Sequence, residues 1–445
     1  MRHETWSSQL TFIMAAVGAA VGLGNIWKFP YMAGMNGGGA FVLVYLMCVV
    51  VVAVPILAAE LLVGRRARRN PVATMRTLAI AEGASPRWGI VGGMGVAAGY
   101  LILTYYSVIA GWAMAYVPRA VAGAFAGASA PELQAAFDDL LADPVRLAAW
   151  HAVFMALTVW IVARGVRQGI ERAVVVLMPA LFVMLLLLVG YAAVEGSLVA
   201  GLRFLFRPDF SQIDGGVVLL AIGQAFFSIG VAMAIMMTYG AYLPREVGIP
   251  RVAFFVAGAD TLVSLLAGCA IFPIVFAHGL DPAEGPGLLF VTLPLAFGAM
   301  PGGAVFGTIF FVLLVCAALT SSIALFEGAV VWAGEHHGLR RVPAAMAGGV
   351  AAWVIGLATV FSFNVWSETR SFGMTMFDLI DFVTTNILVT LGGLLIALFA
   401  GWWVSRHATA DELGLVDGPG YRVWLWLVRI VAPAAIAAIF LTSLL

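Results

Sequence analysis

The sequence predicts an all-α membrane protein with eleven transmembrane helices, and three observations carry that expectation. Hydrophobic residues make up 63% of the chain and charged residues 10%, against about one quarter charged in a soluble domain. One water-soluble core cannot hide that much apolar surface, so the bilayer must solvate most of it. Second, eleven apolar stretches reach the roughly 17–25 residues a helix needs to cross: 9–33, 39–63, 88–121, 147–164, 170–194, 214–241, 249–277, 302–334, 342–362, 375–403 and 421–444. Third, the arginines are uneven across the connections. With the N-terminus inside, inner connections hold Arg65, Arg66, Arg68, Arg69, Arg76, Arg87, Arg164, Arg167, Arg172, Arg245, Arg251, Arg340, Arg341 and Arg406, and outer ones only Arg119, Arg146, Arg203, Arg207 and Arg370. That bias predicts the N-terminus in the cytoplasm and, the count being odd, the C-terminus outside.

Other classes are disfavoured. Net charge is zero, which gives no basic surface for nucleic acid. Cys48, Cys269 and Cys316 all lie in apolar runs, as packing residues do, rather than in a disulfide or metal framework. Only a few polar residues precede the first apolar run, so no cleavable leader is expected. The longest connections, 122–146 and 278–301, are external; the second holds Pro282, Pro286, Pro294 and Pro301 and could fold over a pathway mouth as a lid.

Two spans read as broken. The first contains Gly18, Gly22, Gly24 and Asn25, followed by Lys28 and Pro30. Each Gly costs about 1 kcal/mol against Ala in a helix. A lone small-xxx-small pair more often marks close helix packing, but packing alone requires neither the Asn nor the Lys; an unwound stretch lining a cavity does, because its freed amides and carbonyls bind ligands. The sixth has a weaker counterpart in Gln224, Ser228 and Gly230. Breaks five spans apart suit a five-plus-five inverted repeat with both breaks at one midplane site. The single transmembrane domain, 1–445, then divides into repeats 1–194 and 195–404 and an extra helix in 405–445.

Trp6, the run Gly22-Leu23-Gly24-Asn25-Ile26-Trp27-Lys28-Phe29-Pro30-Tyr31, the run Asn36-Gly37-Gly38-Gly39-Ala40-Phe41, Glu60, Tyr105-Tyr106, Gln224-Ala225-Phe226-Phe227-Ser228 and Leu319-Thr320-Ser321-Ser322 together resemble the neurotransmitter:sodium symporter family, in family order from residue 6 to Asp381. A bacterial member is the worked case of the transporter principle used above. The absence of a twelfth span resembles a bacterial subgroup with eleven.

The resemblance implies that backbone amides at Gly22, Leu23 and Gly24 and the Tyr106 hydroxyl hold a substrate carboxylate, as half-helix N-termini attract anions. Monoamine carriers of the family have an aspartate at the position of Gly22, so an α-amino acid is favoured. Two sodium sites are implied. The first would use the Ala20 carbonyl, Asn25, Ser228, Asp260 and the substrate carboxylate. The second would use the Gly18, Val21 and Ala317 carbonyls with Thr320 and Ser321. Hard oxygens suit a hard cation, although Thr320 and Ser321 taken alone more often back-bond to their own helix. Relatives that need chloride have asparagine at the position of Asp260, with Tyr45, Gln224, Ser228 and Ser264 around the anion; a fixed carboxylate implies chloride independence. Such a carboxylate is costly when unpaired, by about 2.5–3.5 kcal/mol on insertion scales, so proton antiport on the return step is expected. The side-chain pocket implied is Ala19 and Ala20 with Ile102, Phe227, Gly230, Met233, Ser321 and Leu325. It is apolar, for a substrate such as Leu, Met, Phe or Trp. The outer gate implied is Lys28 with Asp381 over Gln224 and Phe227. The inner gate pairs Glu335 with His3 or Arg2, and His3 would make it sensitive to pH. Glu60 would brace the unwound sixth span, and Glu327 has no assigned role.

The function expected is sodium-coupled import of a hydrophobic or aromatic L-amino acid across a bacterial inner membrane, by a monomer or homodimer. One Na⁺ moving down ~100 mV and a tenfold gradient releases about 2.3 plus 1.4 kcal/mol, so two sustain a substrate gradient on the order of 10⁵. A carrier of another small zwitterionic solute, and a non-transporting amino-acid sensor of the same fold, stay open. An enzyme is not expected, because the histidines lie at span ends or in loops and no His-Glu-x-x-His motif occurs.

Overall fold

The computed structural model describes residues 6–280, 287–415 and 418–444. Every apolar stretch named above is helical apart from interruptions in the first and sixth, and among the described residues the only extended pairing is an isolated bridge between Ser371 and Met374. In chain order the helices are α1 (Gln9–Ala20), α2 (Gly24–Met35), α3 (Gly39–Ala67), α4 (Pro71–Ala81), α5 (Pro86–Val121), α6 (Ala130–Ala142), α7 (Pro144–Ala163), α8 (Val166–Glu195) and α9 (Leu198–Phe206). There follow α10 (Gly215–Ile229), α11 (Ile235–Ala241), α12 (Ile249–Ala277), α13 (Leu288–Ala299), α14 (Gly303–His337), α15 (Arg341–Ser362), α16 (Met376–Trp403), α17 (Arg406–Leu413) and α18 (Pro419–Thr442).

Among the described residues nine of these are long and apolar enough to cross a bilayer singly, and α1 with α2 makes a tenth as a pair bent by 51°. The expected count of eleven differs because the sixth stretch is divided into two helices, α10 and α11, each too short to cross alone. The first stretch opens on a reciprocal cap: Ser8 Oγ accepts from Thr11 N–H at 3.1 Å and Thr11 Oγ1 from Ser8 N–H at 3.2 Å. It ends where Val21 turns extended, at φ −71° and ψ 112°. The second break is left-handed: Gly230, Ala232 and Ala234 have φ of 70°, 66° and 60°, and α11 starts directly after them. Gly230 tolerates this conformation at no steric cost; the two alanines do not.

The helices pack so that the breaks meet. The most extensive helix pairing is α14 along α5, and α1 lies against α8, α12 and α14. Helix α11 packs on α3 backbone to backbone, since a Cβ at Gly64 would lie 2.1 Å from the Met237 carbonyl oxygen. At the end of α5 an aromatic cap joins the two longest connections. Phe137 of α6 stacks on Phe290 of α13 with centroids 5.1 Å apart, and Trp112 meets both edge-on. Pro282 and Pro286 of the expected lid lie outside the described residues; the rest of that segment is largely α13, whose Leu288, Leu289 and Phe290 are buried. At the other end Arg65 is buried and donates to Glu412 Oε2 at 2.8 Å and to the Val247 carbonyl at 2.5 Å, which ties α3 to α17.

Candidate functional site

The interrupted backbone between α1 and α2 is bonded by side chains from three neighbouring helices. Leu23 N–H donates to the Tyr106 hydroxyl of α5 at 3.0 Å, Gly22 N–H to Asn25 Oδ1 at 2.9 Å, and Ser321 Oγ of α14 donates to the Val21 carbonyl at 3.0 Å. Gln224 Nε2 of α10 donates to the Gly24 carbonyl at 3.2 Å. Gly22 sits at the focus: a Cβ there would lie 2.6 Å from both Ser321 Oγ and the Tyr106 hydroxyl. Five residues singled out in the sequence, Gly22, Leu23, Gly24, Tyr106 and Ser321, thus meet at the start of α2, where amides and the helix dipole favour an anion.

Below this polar focus the lining is apolar. Ile102 is buried one turn before Tyr106, and Ala20, Met233 and Leu325 are buried as well. Met233 and Leu325 converge on Gly99, whose Cβ would lie 2.9 Å from the Met233 carbonyl oxygen and 3.6 Å from Leu325 Cδ2. Gly230 begins the left-handed break and faces Ile235. Phe227 approaches Gly24, 3.3 Å from its would-be Cβ, and Lys28 Nζ lies 4.1 Å from the centre of the Phe227 ring.

Two groups of oxygen atoms flank the break. In the first, Asn25 Nδ2 donates to Asp260 Oδ1 at 2.7 Å, Ser264 Oγ at 2.9 Å and Ser228 Oγ at 3.0 Å, and Ser228 Oγ donates to Asp260 Oδ2 at 2.7 Å. Tyr45 adds its hydroxyl at 3.4 Å from Ser228. Asn25 and Asp260 are fully buried, and Ala20 closes α1 directly before the break. In the second, Thr320 Oγ1 donates to the Ala317 carbonyl at 3.0 Å, Ser321 bonds Val21 as above, and a Cβ at Gly18 would lie 3.2 Å from Thr320 Cβ. The first set brings Asn25, Ser228 and Asp260 together, with the Asn25 amide nitrogen rather than its oxygen turned toward Asp260; in the second, Thr320 bonds carbonyls of its own helix and Ser321 alone reaches the break.

The gate residues make the following contacts. Lys28 and Asp381 lie within electrostatic reach of each other, yet no ion pair joins them among the described residues; the ammonium instead sits over Phe227, where a cation gains from the ring face. Glu335 Oε2 accepts from Asn70 Nδ2 at 2.7 Å and from Asn70 N–H at 3.3 Å. The partners expected for it, His3 and Arg2, lie outside the described residues. Glu60 is where the sequence put it, fully buried, and accepts from the Ala232 N–H inside the second break. Glu327 acquires partners the sequence did not reveal: Arg341 forms a two-pronged ion pair with it, and the Tyr242 hydroxyl donates to it at 3.1 Å. Asn70 was also missed, although Asn before Pro is a helix-start signal; its Oδ1 indeed caps α4 through Ala73 N–H.

Known proteins resemble this chain over nearly its whole length. Residues 3–130 and 132–445 match the family model described as the sodium:neurotransmitter symporter family. The sodium-dependent transporter YhdH of Bacillus subtilis (strain 168) is 39% identical over 439 residues, which cover 98% of this chain and 96% of the relative. A sodium-dependent transporter of Haemophilus influenzae (strain ATCC 51907 / DSM 11121 / KW20 / Rd) is 32% identical, covering 100% and 98%. The crystal structure of MhsT in complex with L-phenylalanine superposes with a TM-score of 0.91 at 42% identity, over 99% of both chains. The family and its members are transporters, not enzymes. With the model matched almost end to end, this chain belongs to the sodium:neurotransmitter symporter family.

Proposed function

We propose that this sodium-dependent membrane transporter imports a hydrophobic or aromatic L-amino acid by alternating access. The observation that carries the reading is the junction of polar and apolar halves at Gly22. Leu23 N–H and the Tyr106 hydroxyl, 3.0 Å apart, offer donors to a carboxylate; Ile102, Met233 and Leu325 offer an uncharged wall to a side chain. L-Phenylalanine, the compound bound to MhsT, has that division.

Two sodium ions bind on this reading. One is held by Ala20, Asn25, Ser228, Asp260 and the substrate carboxylate, and the other by Gly18, Val21, Ala317, Thr320 and Ser321. Asp260 supplies the anion that chloride supplies elsewhere, and its proton uptake on the return step gives antiport. Opening and closing involve Lys28, Asp381, Gln224 and Phe227 on the outside and Glu335 on the inside. The chain crosses the membrane eleven times, counting α10 with α11 as one broken span, with inverted repeats 1–194 and 195–404. Its N-terminus is cytoplasmic and the membrane is a bacterial inner membrane.

Uptake of radiolabelled phenylalanine, leucine and tryptophan into proteoliposomes tests this, with an inward Na⁺ gradient against choline and no chloride on either side. Accumulation under Na⁺ alone is expected. Accumulation that appears only when chloride is added overturns the Asp260 assignment, and none under any gradient overturns the substrate class.

A further inference from the structure

A cavity lies away from the two breaks. It is a cleft of about 1080 Å³ between α5, α14 and α15, with α4 at one end. Small residues hollow it: Gly93 and Ala97 on α5, Ala329 and Ala333 on α14, and Ala347 on α15. It is closed at its deep end, where the Tyr100 hydroxyl donates to the Gly348 carbonyl at 2.6 Å and joins α5 to α15.

The mouth has the opposite character. Arg76, Arg87 and His336 line it, and all three are exposed. Arg76 and Arg87 stand at the same end, since a Cβ at Gly89, two residues after Arg87, would lie 3.3 Å from Arg76 Cβ. Neither arginine forms an ion pair among the described residues. The carboxylates nearest in sequence are engaged elsewhere, Glu82 by Ser405 N–H and Arg66, and Glu335 by Asn70.

The length of the cleft is informative. From Gly89 at the mouth to Tyr100 at the closed end, eleven residues of helix rise about 16 Å. That is about half the roughly 30 Å hydrocarbon thickness of a bilayer, the depth of one leaflet. An apolar slot one leaflet deep, with two unpaired cations at its mouth, is complementary to an anionic amphiphile.

We propose that this cleft binds one anionic phospholipid, with an acyl chain along Gly93 and Ala97 and the phosphate between Arg76 and Arg87. Assigning it to the cytoplasmic leaflet rests on the orientation proposed above. The site lies against α5 and α14, the helices that carry Tyr106 and Ser321.

Native mass spectrometry of the full chain, taken from nanodiscs of equal phosphatidylglycerol and phosphatidylcholine, tests it. Wild type is expected to keep one phosphatidylglycerol. R76Q/R87Q is expected to lose about thirtyfold in its retention, roughly fivefold for each cation. Gly93→Leu is expected to lose it as well: the nearest atom to a Cβ there is Val72 Cγ2 at 3.9 Å, so the backbone admits the side chain and the side chain fills the slot. Equal retention of both lipids by wild type overturns the proposal. So does undiminished phosphatidylglycerol on either variant, or its displacement by glycerol phosphate at matched concentration. Sodium-dependent phenylalanine binding by the same samples is read separately, so failure of the transport reading and failure of the lipid site are distinguishable.

Discussion

Gly22→Ala isolates the feature on which the substrate assignment rests. The added methyl would lie 2.6 Å from two hydroxyl oxygens, 0.8 Å inside the 3.4 Å at which ordinary contact begins. Neither oxygen can simply retreat. The Tyr106 hydroxyl accepts from Leu23 N–H, and Ser321 Oγ donates to the Val21 carbonyl, each at 3.0 Å. Overpacking a tight site costs about 1–3 kcal/mol, and each weakened hydrogen bond about 0.5–1.5 kcal/mol. A total near 3 kcal/mol corresponds to roughly a hundredfold weaker binding. Equilibrium binding of tritiated phenylalanine in Na⁺, with purified protein, measures it. Gly24→Ala is the matched control: its Cβ meets only the Phe227 ring edge, at 3.3 Å, and a few-fold change is expected. A Gly22→Ala protein that binds within threefold of wild type would refute the reasoning.

Three further outcomes follow from the same geometry. Asp260→Asn removes the fixed anion beside Asn25 and Ser228, so uptake should fall at least about tenfold without chloride and recover with it, a coupling of about 1.4 kcal/mol or more; uptake indifferent to chloride in the variant would discard the role. Glu60→Ala leaves the buried Ala232 N–H without its acceptor, costing about 1–3 kcal/mol. A lowered melting temperature, restored in large part by Glu60→Gln, is the expected reading. Glu327→Gln removes the carboxylate charge that faces the Arg341 guanidinium, and breaking a buried pair costs about 3–5 kcal/mol. With the Arg341 side chain 19% exposed, roughly 2–3 kcal/mol is expected, and the E327Q/R341Q double variant should recover at least half of it in thermal denaturation.

What the sequence made legible divides along physical lines. Hydropathy located the helices because lipid forces backbone groups to pair within each segment, so an apolar run of sufficient length has few other solutions. The first break was legible because glycine, asparagine and lysine conflict with a buried apolar helix. The second was only half legible: Gln224, Ser228 and Gly230 pointed to it, but nothing about Ala232 or Ala234 advertises a left-handed backbone. Pairings between distant segments were legible only where the family resemblance supplied them, as for Glu60 and the sixth span. Arg65 and Glu412 are separated by 347 positions, and no local pattern relates them. Glu327 and Arg341 are only 14 apart, yet the turn between α14 and α15 had to be known before they could be matched. Glu335 was identified as a gate residue from the family resemblance, but its contact with Asn70 depends on how α4 packs beneath α14.

The choice of alanine at positions 232 and 234 has a mechanical consequence. A glycine-rich interruption would behave as a slack joint, sampling many conformations at little cost. An alanine in the left-handed region costs about 1–2 kcal/mol, and such a residue persists only where its surroundings over-determine it. The second break is therefore a sprung joint, held open by the Glu60 carboxylate on α3 acting as a catch. Weakening that catch would bias the segment toward rewinding into continuous helix, so one side chain on α3 sets the stiffness of the joint between α10 and α11.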